Sequence, residues 1–211
     1  MRRGLVLAAA LVLAAGAVRA EERLVDAEKV FPLLDKFYAM PPAERSLLVV
    51  RYNIMRDGKP PADLHVALVV AGRRTPVAVA ADGRLERLPT PADFAAHAQV
   101  AIDAPAGSKF SNRLSLDTAI PAALEVSPST CILAISQANA AVRHAVGVMA
   151  MLAPKVKAVT FVGAGSGVAV LADGRTVPLP LIAGAPAYDP DAIKGAKAIR
   201  LARTPSLISL E

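Results

Sequence analysis

Two arginines stand in matched surroundings and are the first candidates for chemistry in this chain of 211 residues. Arg84 directly follows Asp82-Gly83, and Arg175 directly follows Asp173-Gly174. A guanidinium presents a planar fork of donors that grips a carboxylate or phosphate bidentately, so the pair reads as two equivalent clamps for a small anionic ligand. The competing reading, which we favour, is a charged turn flank held by its own aspartate or by water, because flanking charges of this kind are usually solvated.

The other reactive residue types give less. Gly163-Ala164-Gly165-Ser166-Gly167 follows an apolar run and resembles the opening of a dinucleotide-binding turn. That turn needs a small residue where Val168 stands and a helix after it, whereas a strand pattern with an Asp-Gly turn follows, so the segment reads as a flexible glycine loop. Ser166 is not a nucleophile elbow, because Ala164 rather than glycine stands two residues before it. His65, His97 and His144 share no metal-ligand spacing, and no metal or other cofactor is expected. Cys131 is the only cysteine and rules out an internal disulfide. Within Cys131-Ile132-Leu133-Ala134-Ile135 it reads as a small buried hydrophobe rather than a nucleophile. Aromatic residues make up 4% and tryptophan is absent, which argues against stacking surfaces for carbohydrate or single-stranded nucleic acid.

The elements that position the arginines come from a repeated stretch. Val77–Pro89 and Val168–Pro180 are identical at nine of thirteen positions without a gap. Asp-Gly between apolar runs marks a β-hairpin, and a two-residue turn sets Val79 opposite Glu86 and Val170 opposite Val177. On this reading Asp82, Gly83, Asp173 and Gly174 serve turn geometry. Beyond each Leu-Pro comes a capped short helix, at Thr90-Pro91-Ala92-Asp93 and at Asp189-Pro190-Asp191-Ala192-Ile193. Next is a strand carrying Val100 and Ile102, or Ile199 and Leu201, at the same distance from the proline. The order argues for a duplicated unit.

Around these hairpins, Leu24–Met40 has helical spacing, with Pro32 at its start or as a kink. Ser46–Met55 and Leu64–Val70 read as an antiparallel strand pair joined by Asp57–Pro61, and Ala71–Thr75 as a further turn. Arg113–Leu116 reads as a strand, and Ala123–Ile135 as two short strands around Ser127-Pro128-Ser129. Gln137–Leu152 is the clearest helix, with Ala138, Ala141, Val142, Ala145, Met149 and Leu152 in one stripe. The fold class expected is α+β: mainly antiparallel β-sheet from two related hairpin-containing units, residues 21–125 and 126–211, with one long helix per half. The units pack either as one body or as two lobes.

Residues 1–20 have the layout of a secretory signal: Arg2-Arg3, an apolar run from Gly4 to Ala17, and small residues before cleavage after Ala17 or Ala20. The run is short for a membrane span, so no stable span is expected after cleavage. The signal removes Arg2, Arg3 and Arg19 from the 24 basic residues, leaving 21 against 18 acidic ones, net +3. That balance is a statement about solubility rather than nucleic-acid binding. The signal, Phe37-Tyr38 before a strand and the Gly83…Leu88-Pro89 pattern together resemble exported bacterial protein families of unknown function. The resemblance implies export to the periplasm or beyond and brings no catalytic residue with it. The leading expectation is an exported, non-enzymatic protein that binds an envelope partner or supports an envelope assembly. The alternatives are a module for a small anionic ligand and an exported hydrolase whose site is assembled only in three dimensions.

Overall fold

The computed structural model describes residues 20–61, 63–105, 107–147 and 155–211. The first half runs β1 (Ala20–Asp26), α1 (Ala27–Val30), α2 (Leu34–Ala39), a 3-10 turn, β2 (Leu48–Arg56), β3 (His65–Val70), β4 (Arg73–Val77), α3 (Pro91–Ala95), β5 (Gln99–Pro105) and β6 (Phe110–Thr118). There follow β7 (Glu125–Val126), α4 (Pro128–Val146), β8 (Val159–Val162), β9 (Gly167–Leu171), β10 (Thr176–Pro178), β11 (Leu181–Ile182), β12 (Ala185–Tyr188), β13 (Ala196–Leu201) and β14 (Leu207–Leu210). The strands form three antiparallel sheets, ordered β1-β5-β3-β4, β10-β9-β13-β7 and β11-β12-β8-β14-β6-β2. The fold is α+β with mostly antiparallel sheet. No helix among the described residues is long and apolar enough to cross a membrane.

The helix expected over Leu24–Met40 is corrected. Its first residues are strand β1, every residue of which pairs with β5. Leu24 points to solvent while Val25 packs into the core, the period-two alternation of a half-buried strand. Pro32 then divides the remainder. Phe31 before it adopts φ −120° and ψ 62°, outside the helical region that crowding against a proline ring disfavours. Leu33 after it has φ 71°. The apolar spacing still picks out the buried face, since Val30 and Leu34 are core and Phe37 packs against it.

The expected pairing of β2 with β3 also fails. Asp57-Gly58 turns the chain, and Arg56 and Lys59 exchange backbone hydrogen bonds of 2.9 and 3.0 Å across it. Pro60-Pro61 follow, and without N–H groups they cannot extend the ladder. β3 pairs instead with β5 and, through Ala71-Gly72, with β4, so Arg73–Thr75 is strand rather than turn. The segment 123–135 holds one short strand, β7. Pro128 then opens α4 nine residues before the expected start at Gln137, proline being well suited to a first helical position. The buried stripe therefore begins with Cys131, Ala134 and Ile135 and continues through Ala138 and Ala141. Met149 and Leu152 lie outside the described residues, as does the expected helix end before Pro154.

Two apolar clusters form the core. The first gathers Val66, Leu68, Val100 and Ile102 of one sheet with Tyr52 and Ile54 of β2 and with Ala27 to Leu34. The second gathers Cys131, Ala134 and Ile135 of α4 with Val159 and Phe161 of β8, Ile208 of β14 and Ile199 of β13. The six-stranded sheet contributes to both. Between them, Met40 and Leu48 pack on Ala138 and Ala141. Gln137, itself buried, pins this junction: its carbonyl accepts from the Leu47 amide at 2.9 Å, and its amide donates to the Ala43 carbonyl at 2.8 Å and the Ser46 hydroxyl at 3.0 Å.

Candidate functional site

The two Asp-Gly turns have the same backbone geometry, and it is not the two-residue turn expected. In the first, Ala80 N–H donates to the Arg84 carbonyl and Gly83 N–H to the Ala80 carbonyl, both at 2.8 Å. In the second, Leu171 N–H donates to Arg175 and Gly174 N–H to Leu171, at 2.8 and 3.1 Å. Each loop thus holds three residues, with only the glycine left-handed, at φ 83° in both. This is a turn closed by a glycine bulge. The extra residue shifts each register by one, so Val79 faces Leu85 rather than Glu86, and Val170 faces Thr176 rather than Val177. A one-residue shift moves side chains to the other face. That is why Leu85 is buried while Glu86 is exposed.

The aspartates cap the turns identically. Asp82 accepts from the Arg84 amide and Asp173 from the Arg175 amide, each at 3.0 Å. The guanidinium groups then diverge. Arg84 Nη2 donates to Glu86 at 2.9 Å, and its Nε is buried without a partner among the described residues. Arg175 Nε donates to Asp173 at 2.6 Å from a largely exposed position. The Arg175 side chain, by hydrogen bonding, holds the Asp173 carboxyl below its ordinary pKa. Each arginine is therefore engaged by a carboxylate of its own hairpin. The hairpins also belong to different sheets. The first leans on the six-stranded sheet, where Asn53 bridges Arg84 and Ile54 N–H donates to the Gly83 carbonyl at 2.8 Å. The second forms the edge of a four-stranded sheet.

The remaining candidates stay apart. His65, His97 and His144 are exposed, on β3, after α3 and on α4. Among the described residues no group of three His, Cys, Asp or Glu could hold a metal ion. Cys131 is fully buried, and burial pushes its thiol up to about 12. It is therefore held as the neutral thiol, which is the poor nucleophile. Gly163–Gly167 links β8 to β9 with no helix after it. Gly163 and Gly165 are left-handed, and Gly165 lies so close to the Arg203 guanidinium that a side chain would collide with it.

Sequence reasoning missed a cleft of about 390 Å³ between β1–α1 and β6, lined by Arg23 and Lys29 together with residues of the first core. Reading residues 24–40 as one helix concealed that the strand preceding α1 sets these two cations at one opening. Glu22-Arg23-Leu24-Val25 shows no polar–apolar alternation, so the sequence carried no local signal for it.

No protein-family model, curated protein or solved structure matches the chain.

Proposed function

We propose that this is an exported protein that acts without catalysis, by binding a partner protein of the cell envelope through the free face of α4. One observation carries the reading: Ile132 and Leu133 sit side by side on the solvent face of the first turns of this helix, 46% and 50% exposed. Leu124, just before β7, is 54% exposed as well. Neighbouring large apolar side chains left in water mark interaction surfaces more often than isolated ones do. Export is supported by the signal layout and by the position of β1. Processing after Ala20 leaves Glu21–Asp26, all of which pair with β5.

The test is site-specific photo-crosslinking in the envelope, with a crosslinking residue at Ile132 or Leu133 and a control at Arg143 on the exposed polar end of the same helix. One discrete adduct from the first two positions and none from the third is expected, and the double variant Ile132→Asp/Leu133→Asp should fold normally and lose the complex. Equal adducts at all three positions, or none, would sink the proposal.

The duplication belongs with this reading. It is supported by the identical hydrogen bonding of the two turns and by the matched burial of Val100 and Ile102 with Ile199 and Leu201. It is also supported by side-chain caps at matching positions, a hydroxyl at Thr90 and a carboxylate at Asp189. Thr90 and Asp93 form a reciprocal capping box on α3, and Asp189 accepts from the Asp191 amide at 2.8 Å, although residues 190–195 form a turn rather than the expected short helix. The units have since diverged in sheet partnering: β9 pairs directly with β13, whereas β3 separates β4 from β5.

A second reading, a site for a small anion at Arg84, is favoured by its buried, unsatisfied Nε. On that reading Arg84→Ala removes any thermal stabilisation by phosphate or citrate while the apo protein stays folded. Stabilisation that persists in the variant refutes it.

A further inference from the structure

We propose that the cleft between β1–α1 and β6 is a binding site for a small amphipathic anion, a single anionic head on a short acyl chain. The site is separate from the α4 face, and the two proposals fail independently. At about 390 Å³ the cleft falls within the range of small-ligand sites, roughly 300–1,000 Å³.

Its walls divide by chemistry. Val25, Val30, Ile54, Ile102 and Phe110 supply an apolar floor, three of them fully in the first core. Arg23 and Lys29 supply the cations. Ser111 and Asn112 complete the lining; the Asn112 amide is held by donating to the Val30 carbonyl at 2.6 Å.

The two cations are not equivalent. Lys29 is 2.8 Å from Asp26, whose carboxylate partly neutralises it. Arg23 is half-buried and donates from Nη1 to the neutral Ser108 carbonyl at 3.0 Å. Among the residues whose side chains are described, Glu22 to Glu211, no carboxylate lies within ion-pair distance of Arg23. A guanidinium has five donors in a fixed fork, so one neutral acceptor leaves most of its capacity open. A half-buried guanidinium over an apolar floor, lacking an anion of its own, is complementary to a carboxylate or phosphate head whose chain lies on Ile54 and Ile102.

Decanoate and a ten-carbon lysophosphatidate distinguish a free fatty acid from a one-chain lipid as the source of that chemistry. Each is titrated against protein carrying 1-anilinonaphthalene-8-sulfonate, with decanol as the neutral control. One or both anions should displace the dye at one site per chain, and decanol should bind about ten-fold or more weakly. Arg23→Gln should weaken the anion by about ten- to a hundred-fold, the loss expected for a hydrogen bond to a charged group, and leave decanol binding unchanged. If circular dichroism shows that variant to be unfolded, amide shifts in wild-type protein decide instead, and decanoate must move Ile102, Ser111 and Asn112. Decanol binding as tightly as decanoate, undiminished anion binding to a folded Arg23→Gln, shifts confined elsewhere, or no displacement by either anion would each overturn the proposal.

Discussion

Gly83→Ala and Gly174→Ala make the same change at turns of the same backbone geometry, yet their costs should differ severalfold. Both glycines have φ 83°, and a side chain in that left-handed region costs about 1–2 kcal/mol. At Gly174 nothing lies within 4 Å of the added methyl group, so that cost stands alone. At Gly83 the methyl group would meet the Ile54 carbonyl oxygen well inside van der Waals contact. That oxygen belongs to the backbone of β2 and cannot rotate aside, so the hairpin has to lift. Lifting breaks the bonds from Ile54 N–H to Gly83 and from Leu85 N–H to Tyr52, at 2.8 and 2.9 Å, worth about 1 kcal/mol each. It also partly uncovers Leu85, whose full burial contributes about 1.5–3 kcal/mol. The expected destabilisation is therefore about 1–2 kcal/mol for Gly174→Ala and about 3–6 kcal/mol for Gly83→Ala. Urea unfolding followed by circular dichroism reads both, with unchanged slopes showing that stability alone has moved. Equal midpoints for the two variants would refute the docking of the first hairpin on β2.

Gln137→Leu strands the Leu47 amide and the Ala43 carbonyl, and a loss of about 2–4 kcal/mol is expected in the same assay. A loss under about 0.5 kcal/mol would show that water reaches both groups. Thr90→Ala removes the capping box of α3 and should cost about 1 kcal/mol, read as a lower melting temperature. Cys131 should resist alkylation at pH 8 until denaturant is added, since its thiol is buried and raised to about 12. Because the folded pKa lies above the unfolded value of about 8.5, its contribution is complete below that pH and is lost as pH rises towards 12. Cys131→Ala should therefore show a smaller fall in unfolding midpoint between pH 8 and pH 10.5 than the parent protein, and an identical fall would refute this.

What the sequence made legible was local. The positions of both Asp-Gly turns, the Thr90–Asp93 cap and the burial of the alternate residues in β5 and β13 follow from interactions a few residues long. The turn type was not legible, because Asp-Gly suits both a two-residue loop and a bulged three-residue one. The choice between them reverses which of Leu85 and Glu86 is buried. Nor was β1, whose residue types do not alternate and which only its partner β5 makes a strand. Sheet partnering depends on contacts across the chain, and only the prolines at 60 and 61 hinted that β2 and β3 separate. The cleft beside Arg23 was hidden for the same reason as β1.

The place of β14 bears on when the six-stranded sheet can close. β14 lies between β8 and β6, and Thr118 donates to the Ile208 carbonyl across a separation of 90 residues. At synthesis rates of about 5–20 residues per second, β6 waits roughly 5–20 s for this neighbour. Until residues 207–210 emerge, β6 and β8 have no strand between them, and the sheet that feeds both cores stays open. The first core and the β2–β6 pair lie wholly within residues 20–118, so the first half can consolidate well before β14 joins it to β8.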